Sequence, residues 1–389
     1  MEARKGDMAT QNYPGKDIKK LGFGLMRPPF ISADGDTGAM KAMVDAYMAA
    51  GFSYFDTSYI YGLGVSESHA KEILVERYPR DAFQFATKLP MWVLEKPEDM
   101  AGCLNTSLER TGLAYIDFYM LHGLSAARSD RFPGSYLDKA DTLGAWDFLK
   151  RAKKEGKVKH TGFSYHDSAE LLDKLLTGHP ETEFVQLQIN YADWEDETIQ
   201  SGRCYETAMK HNVPVIAMEP LKGGTLLKLR PEVAAIFKTA NPEASLASWA
   251  IRYAASLDGI ITVLSGMQTI DIVTENVGYM GDFKPLTDEE RTVIDKVKTT
   301  LKSVDTIQCT ACCYCVDDCP KKIQIPKIFE YINEYRVYAD IGYAKRRYAN
   351  ITADTGKASD CIACGICENR CPQKLHIIKN MKEATTLLE

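Results

Sequence analysis

Through residues 19–265, short runs rich in β-branched and aromatic residues recur, separated by stretches whose apolar positions return every three or four residues. The strand-like runs are KKLGFGLM (19–26), FSYFDT (52–57), FQFATK (83–88), YIDFYMLH (115–122), VKHTGFS (158–164), EFVQLQI (183–189), VPVIAM (213–218) and GIITVLS (259–265). Helical periodicity fills residues 39–49, 66–75, 97–110, 142–154, 169–176, 198–211 and 245–256. Strands alternating with helices predict a parallel sheet, and eight such pairs predict an α/β fold closed into a (β/α)8 TIM barrel. A doubly wound sheet is the rival, disfavoured because no strand runs into a glycine-rich dinucleotide fingerprint. Two further helices, 271–277 and 288–302, are expected to close the barrel. The segment 123–141 is too long and polar for a minimal strand-to-helix loop; on the C-terminal face of a barrel it would shape substrate access. The expected organisation is a polar segment 1–18, a barrel 19–303 and a separate module 304–389.

Composition adds limits. With 389 residues, 45% apolar and 26% charged, the chain suits two globular domains. A net charge of −6 speaks against a nucleic-acid surface. No apolar run reaches the length of a membrane span, and the polar start lacks a signal-peptide core, so a cytoplasmic location is expected. Cysteine changes the picture more. Nine of the 11 cysteines follow residue 308. A disulfide-stapled secreted protein would spread them along the fold.

These cysteines form two copies of one pattern, C-x2-C-x2-C-x3-C-P: Cys309, Cys312, Cys315 and Cys319, then Cys361, Cys364, Cys367 and Cys371. In this spacing three thiolates bind one 4Fe–4S cluster and the fourth, before proline, ligates the other. Cys309, Cys312, Cys315 and Cys371 are therefore assigned to one cluster, and Cys361, Cys364, Cys367 and Cys319 to the second. Zinc is the competing reading, since paired C-x2-C motifs also bind it. Cys313 falls outside the spacing as a spare thiol. The stretch between the runs reads as helical, so the module is similar to the helical ferredoxin type: a small, mainly helical, two-cluster, ferredoxin-like domain.

Polar residues also mark the strand ends. Asp56 follows the second run with Tyr61 five residues on, Lys88 ends the third, and His122 ends the fourth. Each alone has an ordinary structural role; together they would meet on the face where barrel enzymes do chemistry. F-D-T-S-Y-I-Y-G (55–62), A-T-K-L (86–89), D-F-Y-M-L-H (117–122) and L-G-F-G-L-M-R (21–27) resemble the aldo/keto reductase family over most of residues 19–280. The resemblance implies an enzyme interconverting a small-molecule carbonyl and an alcohol with NAD(H) or NADP(H). Tyr61 would be the proton donor or acceptor, with Lys88 lowering its pKa, Asp56 holding Lys88, and His122 orienting the carbonyl oxygen.

It further implies that Ser164 and Gln188 grip the nicotinamide carboxamide, with Tyr165 where the family has asparagine. Met218 would pack the ring in place of an aromatic residue. Gly223 and Gly224 would admit the pyrophosphate, and Glu275 and Asn276 would hold the adenine. Gly266 and Ile272 stand where the family places cations for the 2′-phosphate, so NAD(H) is expected over NADP(H). Tyr59, Met91 and Trp92 would line an apolar substrate pocket. The clusters would relay electrons, sense them, or brace the C-terminal module, and an electron relay would call for a redox partner protein. The alternatives are an electron-transfer protein using the barrel as a docking platform, or a flavin-dependent reductase fed by the clusters.

Overall fold

The computed structural model describes residues 12–126, 136–197, 199–309, 311–371 and 373–389. Eight strands run in chain order: Leu21–Gly24 (β1), Tyr54–Asp56 (β2), Gln84–Pro90 (β3), Ile116–Leu124 (β4), Val158–Tyr165 (β5), Phe184–Gln188 (β6), Val215–Met218 (β7) and Ile260–Ser265 (β8). Each pairs in parallel with the next, and β8 returns to β1 through Leu21↔Val263 and Phe23↔Ser265, closing the barrel. The expected barrel is thus formed and the doubly wound sheet is excluded. The strands are almost wholly buried, which is why they read as continuous apolar runs rather than alternating ones. Tyr54, Phe118, Phe184, Ile216 and Ile261 fill the interior, and Ile18 and Tyr13 from the N-terminal segment pack against them.

Local sequence sets the strand positions. Asp36 caps the helix Thr37–Ala49 by accepting a bond from Ala39 N, and Met40, Met43, Val44 and Tyr47 form its buried stripe. The Tyr47 hydroxyl donates to the carbonyls of Leu21 (2.7 Å) and Tyr54 (2.9 Å), tying this helix to β1 and β2. Of the segment 123–141, residues 127–135 lie outside the described residues; Tyr136–Thr142 is a helix.

The chain divides into two compact units, Met1–Pro220 with Ala247–Thr287, and Leu221–Leu246 with Asp288–Glu389. The second unit therefore recruits a stretch from between β7 and β8. That stretch carries a helix, Pro231–Ala240, that the sequence pattern had not suggested. The helix Asp288–Lys302 packs on Pro231–Ala240. Lys228 pairs with Asp340 at 3.1 Å, Lys222 lies over the Tyr338 ring at 5.6 Å, and Arg230 donates to the Arg336 carbonyl. The helices Ile325–Tyr338, Ile341–Ile351 and Ile377–Leu388 enclose a core that includes Ile328, Phe329, Ile332, Tyr348 and Met381. Arg347 bridges Glu330 and Glu334, each at 2.6 Å. Among the described residues, no helix is long and apolar enough to cross a membrane.

Within this unit the two cysteine runs repeat each other in backbone as well as in spacing. Ala311, Cys313 and Lys322 have φ of 53°, 62° and 52°; their counterparts Ala363, Gly365 and Lys374 have 53°, 76° and 53°. A short helix starts after each central pair, Tyr314–Asp317 and Ile366–Arg370, and a long one follows each fourth cysteine. Cys313 holds the left-handed place that glycine holds in the second copy.

Candidate active site and cysteine-lined recesses

At the C-terminal ends of β2 and β3, Lys88 and Asp56 form a buried ion pair, Nζ to Oδ1 at 2.6 Å, with 1% and 3% of each residue exposed. Lys88 Nζ also donates to the Thr57 carbonyl (2.7 Å), and Gln186 Nε2 donates to the other Asp56 oxygen (3.1 Å). Each charge thus meets an opposite charge and further hydrogen bonds, the condition under which such a pair is tolerated in a core. Burial lowers the Lys88 pKa, but Asp56 and Tyr61 outweigh it and hold the ammonium above its usual value. Burial raises Asp56 above the ordinary carboxylate range against the pull of Lys88 and Gln186.

Tyr61 lies beside this pair, with Lys88 Nζ 4.9 Å from its ring centre. It starts a tight turn, Tyr61–Gly64, in which Gly62 and Leu63 have φ of 58° and 57°. A Cβ on Gly62 would sit 2.5 Å from the Ile31 carbonyl oxygen, so no side chain fits there. Lys88 does pull the phenol pKa down, as expected, yet burial is the larger effect and leaves Tyr61 above the usual phenol value. The expected net lowering is therefore reversed, and burial favours the protonated phenol of Tyr61.

His122, one strand further, meets Tyr61 edge-to-face at 5.9 Å, and Trp92 covers it at 4.8 Å. Burial and the Lys88 charge hold its pKa well below the usual imidazole value, so the ring is neutral at neutral pH. Its Nδ1 shares a 3.0 Å hydrogen bond with Ser58 Oγ. The structure therefore brings Asp56, Tyr61, Lys88 and His122 together.

Support comes from residues the sequence reading passed over. The carboxylate of Glu67, fully buried, accepts bonds from Thr87 Oγ1 (2.7 Å), Ser107 Oγ (2.7 Å) and Arg110 Nη1 (3.1 Å). Arg110 also donates to the Tyr59 carbonyl (2.9 Å) and lies over the Tyr59 ring at 4.4 Å. Tyr59 thus anchors the turn, and Met91 is fully buried, so of the expected pocket residues Trp92 stands against His122.

The expected cofactor residues are placed unevenly. Ser164 is the last residue but one of β5, Gln188 ends the adjacent β6, and Met218 is the β7 partner of Gln188. Ser164 Oγ accepts from Gly123 N (2.7 Å), and Gln188 Nε2 donates to Asp193 Oδ2 (2.7 Å). The serine hydroxyl can then donate to the oxygen of a carboxamide and the glutamine carbonyl oxygen can accept from its amine, so the set fits that group. Tyr165 is buried and donates to the Ser168 carbonyl. Asn276 is buried and committed internally, donating to Ser265 Oγ (2.8 Å) and accepting from Tyr279 (2.7 Å), while Glu275 is exposed. Gly223 and Gly224 belong to the second unit, where both adopt positive φ.

In the second unit the cysteines gather as two sets. Cys309, Cys312, Cys315 and Cys371 line one recess of about 320 Å³, together with Cys313, Ile325, Phe329 and Leu375. Cys319, Cys361, Cys364 and Cys367 line another of about 380 Å³, with Ile323, Ile362 and Met381. Each recess takes its fourth cysteine from the other run, as the spacing implied. Burial pushes the Cys315 thiol up to about 12 and the Cys367 thiol up to about 11, so a metal would have to displace their protons. Four thiols around an apolar cup fit an iron–sulfur cluster. Cys103 and Cys204 are buried elsewhere, in the barrel unit, with Cys204 raised to about 12.

The model of the aldo/keto reductase family matches residues 20–299, and that of a 4Fe-4S dicluster domain matches residues 308–376. The chain belongs to the aldo/keto reductase family. Among curated aldo/keto reductases, the str7 protein of Strobilurus tenacellus is 30% identical over 54% of this chain and 60% of its own length. A probable aldo-keto reductase of Glycine max is 28% identical over 48% of this chain and 51% of its own length. The chain thus spans only about half to three-fifths of these two relatives. L-galactose dehydrogenase of Arabidopsis thaliana is 25% identical over 78% of this chain and 97% of its own. The fold matches an aldo-keto reductase of Bacillus halodurans at TM-score 0.58 and 24% identity, covering 72% of this chain and 92% of that one. An aldo-keto reductase of Klebsiella pneumoniae solved with NADPH matches at TM-score 0.55 and 20% identity, over 72% and 91%.

Proposed function

We propose that this aldo/keto reductase interconverts a carbonyl and an alcohol at the Tyr61 hydroxyl, using a nicotinamide cofactor, and that the second unit holds two 4Fe–4S clusters. The observation that carries the reading is the convergence of Tyr61, the buried Lys88–Asp56 pair and a neutral His122 on one barrel face. A reduced nicotinamide, when bound, supplies hydride to the carbonyl carbon. The chain does the rest. Ser164 and Gln188 would orient the carboxamide. His122, with Nδ1 engaged by Ser58, offers its other nitrogen to the carbonyl oxygen. Tyr61 gives its proton to that oxygen as the C–O double bond becomes single, and Lys88 stabilises the phenolate left behind. Asp56 keeps Lys88 charged and in place. Oxidation of an alcohol runs the same proton path in reverse. Trp92 beside His122 favours substrates that present a flat apolar face to the reacting carbonyl.

For the clusters, the supporting observation is the crossed sharing of the fourth cysteine between two apolar recesses. The decisive experiment is turnover of anaerobically purified protein over a carbonyl panel with NADH and NADPH, beside Tyr61→Phe. Loss of turnover in the variant supports the reading; an unchanged rate means the proton comes from elsewhere. The same preparation should contain about eight irons and eight acid-labile sulfides, as two 4Fe–4S clusters require. Stoichiometric zinc without a brown chromophore would sink the cluster assignment. An EPR signal that grows on adding NADH would mark the clusters as a relay, and its absence would leave them as a brace.

A further inference from the structure

The two cysteine recesses match in spacing and backbone but differ at the corner that meets solvent. Of the four cysteines assigned to each, one is exposed, Cys312 in the first set and its counterpart Cys364 in the second, while Cys315, Cys367 and Cys371 are buried. The residue after Cys364 is Gly365; the residue after Cys312 is Cys313. Cys313 lines the first recess beside Cys309, Cys312, Cys315 and Cys371. That recess therefore gathers five thiols where the second gathers four.

Cys313 is exposed, and its Sγ donates to the Ala311 carbonyl oxygen at 3.3 Å, a weak bond that costs little to give up. A thiol binds iron once it has lost its proton, so a fifth thiol on a cluster recess is a fifth candidate ligand. Its φ of 62° is left-handed, the conformation that Gly365 holds at 76°. Nothing lies within 4 Å of a Cβ built on Gly365, so the loop has room for a side chain at this place in the second copy as well. The second run thus serves as a reference that lacks the fifth thiol.

We propose that Cys313 is an alternate ligand of the first cluster, taking the iron at the exposed corner when Cys312 is lost. The proposal rests on the two-cluster reading above. In the exchange the iron–sulfur bond to Cys312 breaks and one to Cys313 forms. The Cys313 proton passes to the departing Cys312 sulfur or to solvent, and no electron is transferred. An exposed cysteine is where oxidants arrive first, and its conversion to a sulfenic or sulfinic acid removes a ligand. In the second run the neighbour of Cys364 is glycine, so the same loss there goes unanswered. The two clusters are unequal in durability although their spacing is the same.

The test is iron content and oxidised-state EPR of the anaerobically purified full chain and its variants. Cys312→Ala should keep about eight irons and show no three-iron signal. Cys364→Ala should fall to about seven irons with such a signal, or to about four where its cluster is lost entirely. Cys312→Ala combined with Cys313→Gly should suffer the same loss in the first cluster, and Cys313→Gly alone should keep about eight irons. Iodoacetamide should alkylate Cys313 in the wild-type holoprotein and spare it in Cys312→Ala. Gly365→Cys added to Cys364→Ala should restore the second cluster; this rescue decides the matter alone where Cys312→Ala does not fold, and its failure overturns the proposal. Cys312→Ala that loses iron as Cys364→Ala does also overturns it. So does a double variant that keeps its iron, which would put the replacement ligand elsewhere, or a Cys364→Ala protein that keeps its own. A wild-type protein that holds zinc or no cluster defeats the two-cluster reading itself, a separate failure seen before any variant is made.

Discussion

In the barrel unit, the groups of the candidate site come from β2, β3, β4 and β6, and the chain itself balances them. Lys88 faces Asp56, and Asp56 also receives Gln186. In the second unit, the groups come from two short runs, and the cysteines of each set line a recess, of about 320 and 380 Å³. The first site is built around a buried ion pair with its own hydrogen bonds; the second gathers four cysteines of each set around an apolar recess. Buried charges with a fixed counter-charge make a site that exists before its ligand. Thiols with raised pKa values make one whose geometry and stability belong to the metal.

The sharpest break of this comparison is chemical. Tyr61→Phe removes one hydroxyl from the preformed site and should lower kcat by roughly 10²–10⁴-fold, the usual contribution of a positioned proton donor. The cofactor dissociation constant and the melting temperature should barely move, because the ground-state contacts remain. Pre-steady-state hydride transfer beside equilibrium binding separates the two.

Next comes the buried pair. Lys88→Met leaves the Asp56 carboxylate buried without its counter-charge and should cost about 3–5 kcal/mol of barrel stability. Denaturant unfolding measures it, and adding Asp56→Asn should restore part of the loss. If Lys88→Met unfolds at the wild-type midpoint, the barrel site is not held by this pair.

The second unit should answer differently. Cys319→Ser should bring iron from about eight to about four per chain, with the loss in the cluster held by the second run. Removing all iron with a chelator should speed amide exchange in Leu221–Leu246 and Asp288–Glu389 while β1 to β8 stay protected. Exchange that rises equally in the strands would erase the distinction between the units.

The smallest effect is on pH. Burial and Lys88 hold the folded-state pKa of His122 well below its unfolded value, so the unfolded chain takes up a proton first as pH falls. Its contribution to stability is complete above roughly 6.5 and is lost as pH drops toward the folded value. His122→Gln should flatten that part of the stability curve, as read from melting temperatures at successive pH values.

The barrel was legible because buried parallel strands are written as apolar runs, and Asp56, Lys88 and His122 because a polar residue ending such a run is conspicuous. The crossed cysteines were legible for a similar local reason: their chemistry is a spacing. Glu67 was not. In V-S-E-S-H-A-K-E it looks like one charge on a solvated helix, and its burial depends on Thr87, Ser107 and Arg110, which sequence separates widely. Gln186 escaped because a single amide inside a strand has no periodic signature. Pro231–Ala240 did carry a signal, a proline at the first helical turn before an apolar stripe.

The placement of that helix has a consequence in time. Lys228 precedes its partner Asp340 by 112 residues. At about 5–20 residues per second of synthesis, the segment carrying Pro231–Ala240 waits about 6–22 s after leaving the ribosome for the chain that completes its unit. Until Asp288–Lys302 has also emerged, Val233 and Phe237, both buried in the finished protein, lack the helix that theirs packs on. Nascent chains stalled between residues 303 and 340 should therefore bind hydrophobic-segment chaperones through 221–246, and those stalled beyond 389 should release them.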